Sequence, residues 1–118
     1  MHGVPADLKL PGLVGSDLET LMWAAYTLHL GFSCGLSFDV CGSLEFCASD
    51  GSVIERGVPE ELRPLSRLGA LVGAFVTDYV VDAPHALVLD FGEAGALRLR
   101  DDTDQYEAFQ IEPLGIVV

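Results

Sequence analysis

LVGAFVTDYVVDAPHALVLDFGEAGALRLRDDTDQYEAFQI, from Leu71 to Ile111, is the stretch whose reading decides the fold, because three strands and their turns are legible in it. Leu87, Leu89 and Phe91 alternate with Val88 and Asp90, and beyond Gly92-Glu93-Ala94-Gly95 the pair Leu97 and Leu99 alternates with Arg98 and Arg100. A period of two on both sides of a glycine-bearing turn marks a hairpin with one face on a core and the other in water. The wet face should bring Asp90 near Arg98 or Arg100. Upstream, Phe75 to Val81 is dense in β-branched and aromatic residues, which suit a pleated, half-buried surface. It reads as the preceding strand, ended by Asp82-Ala83-Pro84 because proline cannot donate to a ladder.

Working outward, the first half of the chain carries a degenerate copy of this pattern. Leu13-Val14-Gly15 matches Leu71-Val72-Gly73, Leu28-His29-Leu30-Gly31-Phe32 matches Leu87-Val88-Leu89-Asp90-Phe91, and Gly35-Leu36-Ser37-Phe38 matches Ala96-Leu97-Arg98-Leu99. The spacings of this alignment differ by one residue before the first hairpin strand and by two in the turn. Two three-stranded units sharing one core are therefore expected. Strands are placed at about 27–33, 35–40 and 43–48, with a turn at Ala48-Ser49-Asp50-Gly51-Ser52. Residues 16–26 are ambiguous: Ser16 and Glu19 form a possible capping box and Leu18, Leu21, Met22, Ala25 and Tyr26 have helical spacing, whereas the repeat makes them a strand. Strand is preferred and helix is the alternative.

Between the units the period changes. Pro59-Glu60-Glu61 suits a helix N-terminus, and Leu62, Leu65, Leu68, Leu71 and Val72 form one apolar stripe, giving a linking helix over about 60–71. The expected class is α+β, mainly antiparallel sheet, in a single domain. Its parts are a surface lead-in at 1–12, a first β unit at 13–50, turn and helix at 51–73, and a second β unit with an acidic tail at 74–118.

The 118 residues are half hydrophobic, enough for a core without disulfides or metals. No apolar run approaches the roughly 18 residues that span a bilayer, and the first 12 residues lack the basic and apolar regions of a signal peptide, so a cytoplasmic protein is expected. Cys34, Cys41 and Cys47 are odd in number and close together, which suits reduced, buried or half-buried thiols free of metal rather than a disulfide framework. Eighteen acids against six bases give a formal charge of −12, which repels nucleic acid and anionic membrane and attracts a basic protein surface.

Enzymatic motifs are absent. His29 and His85 are single histidines within or beside strands, no serine sits in a nucleophile elbow, and no glycine loop cradles phosphate, so neither catalysis nor a cofactor is expected. The cysteines lack CxxC spacing, and a zinc site is not expected.

Near its end the chain runs Asp101-Asp102-Thr103-Asp104-Gln105-Tyr106-Glu107-Ala108-Phe109-Gln110-Ile111-Glu112, with five acids and two aromatic residues and no base. The closing Tyr106-Glu107-Ala108-Phe109-Gln110-Ile111 box, the leucine-valine-glycine opening and the strand pair resemble a family of small bacterial domains of unassigned function. These are similar to the immunity proteins of polymorphic toxin systems, and the resemblance covers about residues 13–112. It implies a protein that binds a cognate, basic toxin domain and covers its substrate site. The partner-binding residues expected on that reading are Asp101, Asp102, Asp104 and Glu107, with Tyr106 as an aromatic anchor and Asp78 and Asp82 as a second cluster. A non-catalytic binding or structural module with another ligand is the alternative.

Overall fold

The computed structural model describes residues 3–62, 67–101 and 108–118. Ten strands dominate them: β1 (Leu18–Trp23), β2 (Leu28–Phe32), β3 (Ser37–Val40), β4 (Leu44–Cys47), β5 (Val53–Gly57), β6 (Asp78–Asp82), β7 (Ala86–Asp90), β8 (Ala96–Arg100), β9 (Phe109–Glu112) and β10 (Ile116–Val117). They form two antiparallel sheets of five strands, ordered β1-β2-β3-β9-β10 and β5-β4-β8-β7-β6. Strands with period two bury every second residue. Leu28, Leu30, Phe38, Val40, Phe109 and Ile111 of the first sheet meet Leu44, Phe46, Leu87, Leu89, Leu97 and Leu99 of the second in one continuous core.

The two sheets are related residue by residue. Leu13 to Ser16 and Leu71 to Ala74 each close a turn by a backbone bond, Ser16 N–H to Leu13 O at 3.0 Å and Ala74 N–H to Leu71 O at 2.9 Å. Gly15 and Gly73 both stand at φ +89°, where a side chain is strained, which explains why leucine-valine-glycine occurs twice. The segments that follow pair with each other through reciprocal bonds. Gly15 N–H donates to Val76 O and Gly73 N–H to Leu18 O, both at 2.8 Å, while Val76 N–H donates to Ser16 O and Leu18 N–H to Ala74 O. Each bond is the other's image under exchange of the two halves. On the same local axis the equivalent rings of Phe32 and Phe91 stack, with centroids 6.3 Å apart and planes at 20°.

Beyond the third strand of each half the chain crosses over. β4 follows β3 in sequence but pairs with β8, and β9 follows β8 but pairs with β3. Each half thus supplies a three-stranded meander to one sheet and two further strands to the other. The sheets are five-stranded units with exchanged strands, rather than the self-contained three-stranded units expected from the repeat. Register corrects the alignment as well. Leu30 faces Phe38 and Leu89 faces Leu97, so Phe38, not Leu36, is the counterpart of Leu97, and the two-residue gap in the turn vanishes.

The 16–26 segment is a strand, as preferred: it forms the edge strand β1 from Leu18 to Trp23. Other expectations need amendment. A continuous helix over 60–71 is not what the described residues show: Pro59–Leu62 forms one α-helical turn (α1), and Leu68–Leu71 is a separate 3₁₀ turn preceded by Arg67 at φ −91°, ψ 2°. Of the expected apolar stripe, Leu62, Leu68 and Leu71 are buried, Val72 is exposed, and Leu65 lies outside the described residues. Residues 63–66 of that expected helix lie outside the described residues. Residues 3–12 are not a surface lead-in either. Val4, Leu8 and Leu10 are core residues, Val4 N–H bonds to Pro84 O at 3.0 Å, and Leu10 N–H donates to the Tyr79 hydroxyl at 3.1 Å.

Candidate partner-binding faces

Each sheet turns a second face outward. On the second sheet Arg56, Glu45, Arg98, Val88 and Val80 are cross-strand neighbours in one row. The arginines are engaged within the sheet. The Arg98 guanidinium reaches past β7 to Asp82 at 2.8 Å, and the Glu45 carboxylate lies 3.8 Å from Arg56 and 3.9 Å from Arg100. Such half-exposed pairs contribute about 0–1 kcal/mol each, so their importance is to offset part of this face's negative charge. Arg98 is held at a cost, since its Nε is buried without a hydrogen-bond partner among the described residues. Beside it an open cleft of about 240 Å³ lies over Ala96, between Cys47 and Asp90.

Arg98 therefore pairs with Asp82, not with the expected Asp90. Asp90 stands opposite Ala96 and Asp78, and its Oδ1 accepts the Gly92 N–H at 2.9 Å. Asp78 likewise accepts the Tyr79 N–H at 2.8 Å. Two carboxylates in register repel, and each has turned to a backbone donor instead.

Of the residues expected to bind a partner, Asp78 and Asp82 occupy the exposed edge strand β6 at its opposite ends. Asp101 lies near Asp82: its N–H donates to His85 O at 2.7 Å, and the His85 N–H donates to Asp82 O at 2.8 Å. Asp102, Asp104, Tyr106 and Glu107 lie outside the described residues. Asp82 is thus already committed to an arginine, a long-range contact with no signature in sequence. Phe109 is fully buried, as a core residue of the closing box should be.

The outer face of the first sheet differs in kind. Its central row runs Met22, His29, Asp39, Gln110 and Val117 across all five strands, and the next row runs Thr20, Gly31, Ser37 and Glu112. His29 Nδ1 and Asp39 Oδ1 lie 2.7 Å apart, so the histidine is a satisfied polar group on a half-exposed surface. The strands of this sheet contain no lysine or arginine. Neither Glu19, Asp39 nor Glu112 pairs with one among the described residues. Sequence reading missed this face because its residues come from five strands in two distant stretches of chain.

The cysteines are free thiols, Cys34 and Cys41 exposed and Cys47 half-buried, which corrects the expectation of burial for the first two. Burial first, and the Glu45 carboxylate second, push the Cys47 thiol above its ordinary value. Among the described residues no group of histidine, cysteine and acidic side chains is placed to hold a metal ion. No helix of the described residues is long and apolar enough to cross a membrane.

At the turn bordering the cleft, Asp50 Oδ1 accepts bonds from the Ser52 hydroxyl at 2.7 Å and the Ser52 N–H at 2.9 Å. These bonds, the hydroxyl's foremost, hold the Asp50 carboxyl below its usual value. A depressed acid contributes stability above its unfolded pKa and loses it as pH falls through the folded one. Ser52→Ala should therefore raise the Asp50 pKa toward the ordinary aspartate value, as read by carboxyl NMR titration. An unmoved titration would show that the hydroxyl bond is not the cause.

No protein-family model, curated protein or solved structure matches this chain. The chain is thus an antiparallel β domain of two five-stranded sheets, one with three arginines at ion-pair distance from its acids and the other with no lysine or arginine in its strands.

Proposed function

We propose that the chain is a non-catalytic, immunity- or antitoxin-like protein that neutralises a cognate bacterial toxin domain by covering its basic substrate-binding site. The observation that carries this reading is charge. Acids outnumber bases eighteen to six, and three of those bases, Arg56, Arg98 and Arg100, lie at ion-pair distance from acids of their own sheet. Carboxylates consequently dominate what a partner meets. A toxin acting on nucleic acid or nucleotides must present cations to its anionic substrate, and an acidic protein competes for the same cations. Opposite charge acts chiefly on association rate and is screened by salt.

The acidic tail fits this role through Asp101, Asp102, Asp104 and Glu107, with Tyr106 as anchor, and Asp78 adds to it. Asp82 is the weaker contributor because Arg98 already holds it. The test is co-expression with the adjacent-gene product. Expected are rescue from its toxicity, a purified complex, and an association rate falling about tenfold between low and moderate salt. A partner that is harmless when expressed alone and does not co-purify would defeat the reading and leave a binding module of another kind.

A further inference from the structure

We infer that the docking face for the basic partner is the outer surface of the first sheet, formed by β1, β2, β3, β9 and β10. This inference rests on the reading of the chain as a binder of basic proteins and says which side of the molecule does the binding. The argument comes from comparing two sheets whose backbones correspond. Register makes Asp39 the counterpart of Arg98, since Asp39 faces His29 and Gln110 while Arg98 faces Val88 and Glu45. Equivalent positions of one framework thus carry opposite charge.

The second sheet offsets part of its acidity with arginines at 56, 98 and 100, which lie at ion-pair distance from Glu45 and Asp82, while Asp78 and Asp90 accept backbone N–H groups. The first, with Glu19, Asp39 and Glu112, has no lysine or arginine in its strands. Folding alone does not demand this difference, because both frameworks bury the same inward pattern.

Apolar groups sit where an interface would use them. Met22 is 57 % exposed at one end of the central row and Val117 41 % at the other, with His29, Asp39 and Gln110 between them. Carboxylates between two apolar rims suit a lysine- or arginine-bearing segment whose aliphatic stems lie on Met22 and Val117 while its cationic ends reach Asp39 and Glu112. The pairing of Asp39 with His29 competes locally for that cation.

Two measurements test the face separately from the function. In the first, the ¹⁵N-labelled chain is titrated with a decalysine peptide at low salt. Shifts should concentrate at Thr20, Met22, His29, Asp39, Gln110 and Glu112 and vanish with added salt; shifts centred on the second sheet or spread evenly would overturn the proposal. In the second, the triple variant Glu19→Gln, Asp39→Asn, Glu112→Gln, its fold checked by its NMR spectrum, is compared with Glu93→Gln, an exposed acid of the β7–β8 turn, for association with the adjacent-gene product. The triple variant should associate about tenfold more slowly and Glu93→Gln within twofold of the unaltered chain. An unchanged rate for the triple variant overturns this face while leaving the function standing. If the unaltered chain binds no adjacent-gene product, the immunity reading fails, and the decalysine map alone decides the face.

Discussion

Gly95→Ala is expected to destabilise the domain by about 3–5 kcal/mol, a large part of the roughly 5–15 kcal/mol typical of such a domain. Gly95 joins the β7–β8 turn to β8 at φ 115°, ψ −161°, a region that residues with a Cβ adopt only at a cost of about 1–3 kcal/mol. Space adds to that cost. A Cβ at this position would press into the Cys47 carbonyl and stand 3.0 Å from the Phe46 ring, both on the neighbouring strand β4. Backbone cannot yield there without breaking the β4–β8 ladder, which begins at Cys47 and Ala96. Gly15→Ala and Gly73→Ala are the controls. Both have φ +89° and nothing within 4 Å of the added atom, so each should cost only about 1–2 kcal/mol, and equally. Urea unfolding at constant slope measures all three. A Gly95→Ala loss no larger than that of the controls would refute the close approach to β4.

Truncating the stacked phenylalanines should cost nearly as much. Phe32 and Phe91 are each 4 % exposed, and removal of a buried ring leaves a cavity worth about 3–5 kcal/mol. Phe32→Ala should be the worse of the two. Its ring also meets Phe38 edge-on, with centroids 5.6 Å apart and planes at 74°. Because the rings of 32 and 91 touch across the local axis, the double variant should lose about 0.5–1.5 kcal/mol less than the sum of the singles. Strict additivity would mean that the halves do not meet through these rings.

How much of this was open to sequence reading depends on how far apart the interacting residues lie. The β7–β8 hairpin was legible because alternation and a glycine turn are local, and the strands fall at Ala86–Asp90 and Ala96–Arg100. The doubled leucine-valine-glycine was legible for the same reason, as the glycine answers a backbone angle within its own turn. The third-strand alignment slipped by two because either Leu36 or Phe38 satisfies a period of two. Only pairing with Leu30 decides between them. Val4, Leu8 and Leu10 were missed since three apolar residues among polar ones show no period, although each fills a gap in the core.

For the candidate faces, sequence supplied the sign of the charge but not its placement. Asp78 and Asp82 were recognised as acids on a strand, yet only the fold reveals that Asp82 is held by Arg98, sixteen residues away. Asp39 drew no notice as a lone acid between hydrophobic residues. It gains meaning from His29 beside it and from the opposite charge of its counterpart on the other sheet.

The amino-acid sequence by itself determined the antiparallel character of the fold, its hairpin, its two related halves and its acidity, because these follow from side-chain period, turn chemistry and composition. Tertiary structure alone decided that each half lends two strands to the other's sheet, and hence which charges share a face. The physical reason is that alternation states only that a strand has one buried side. Its neighbour is chosen by competition among all strands for complementary edges and a common core, and no local pattern records the outcome of that competition.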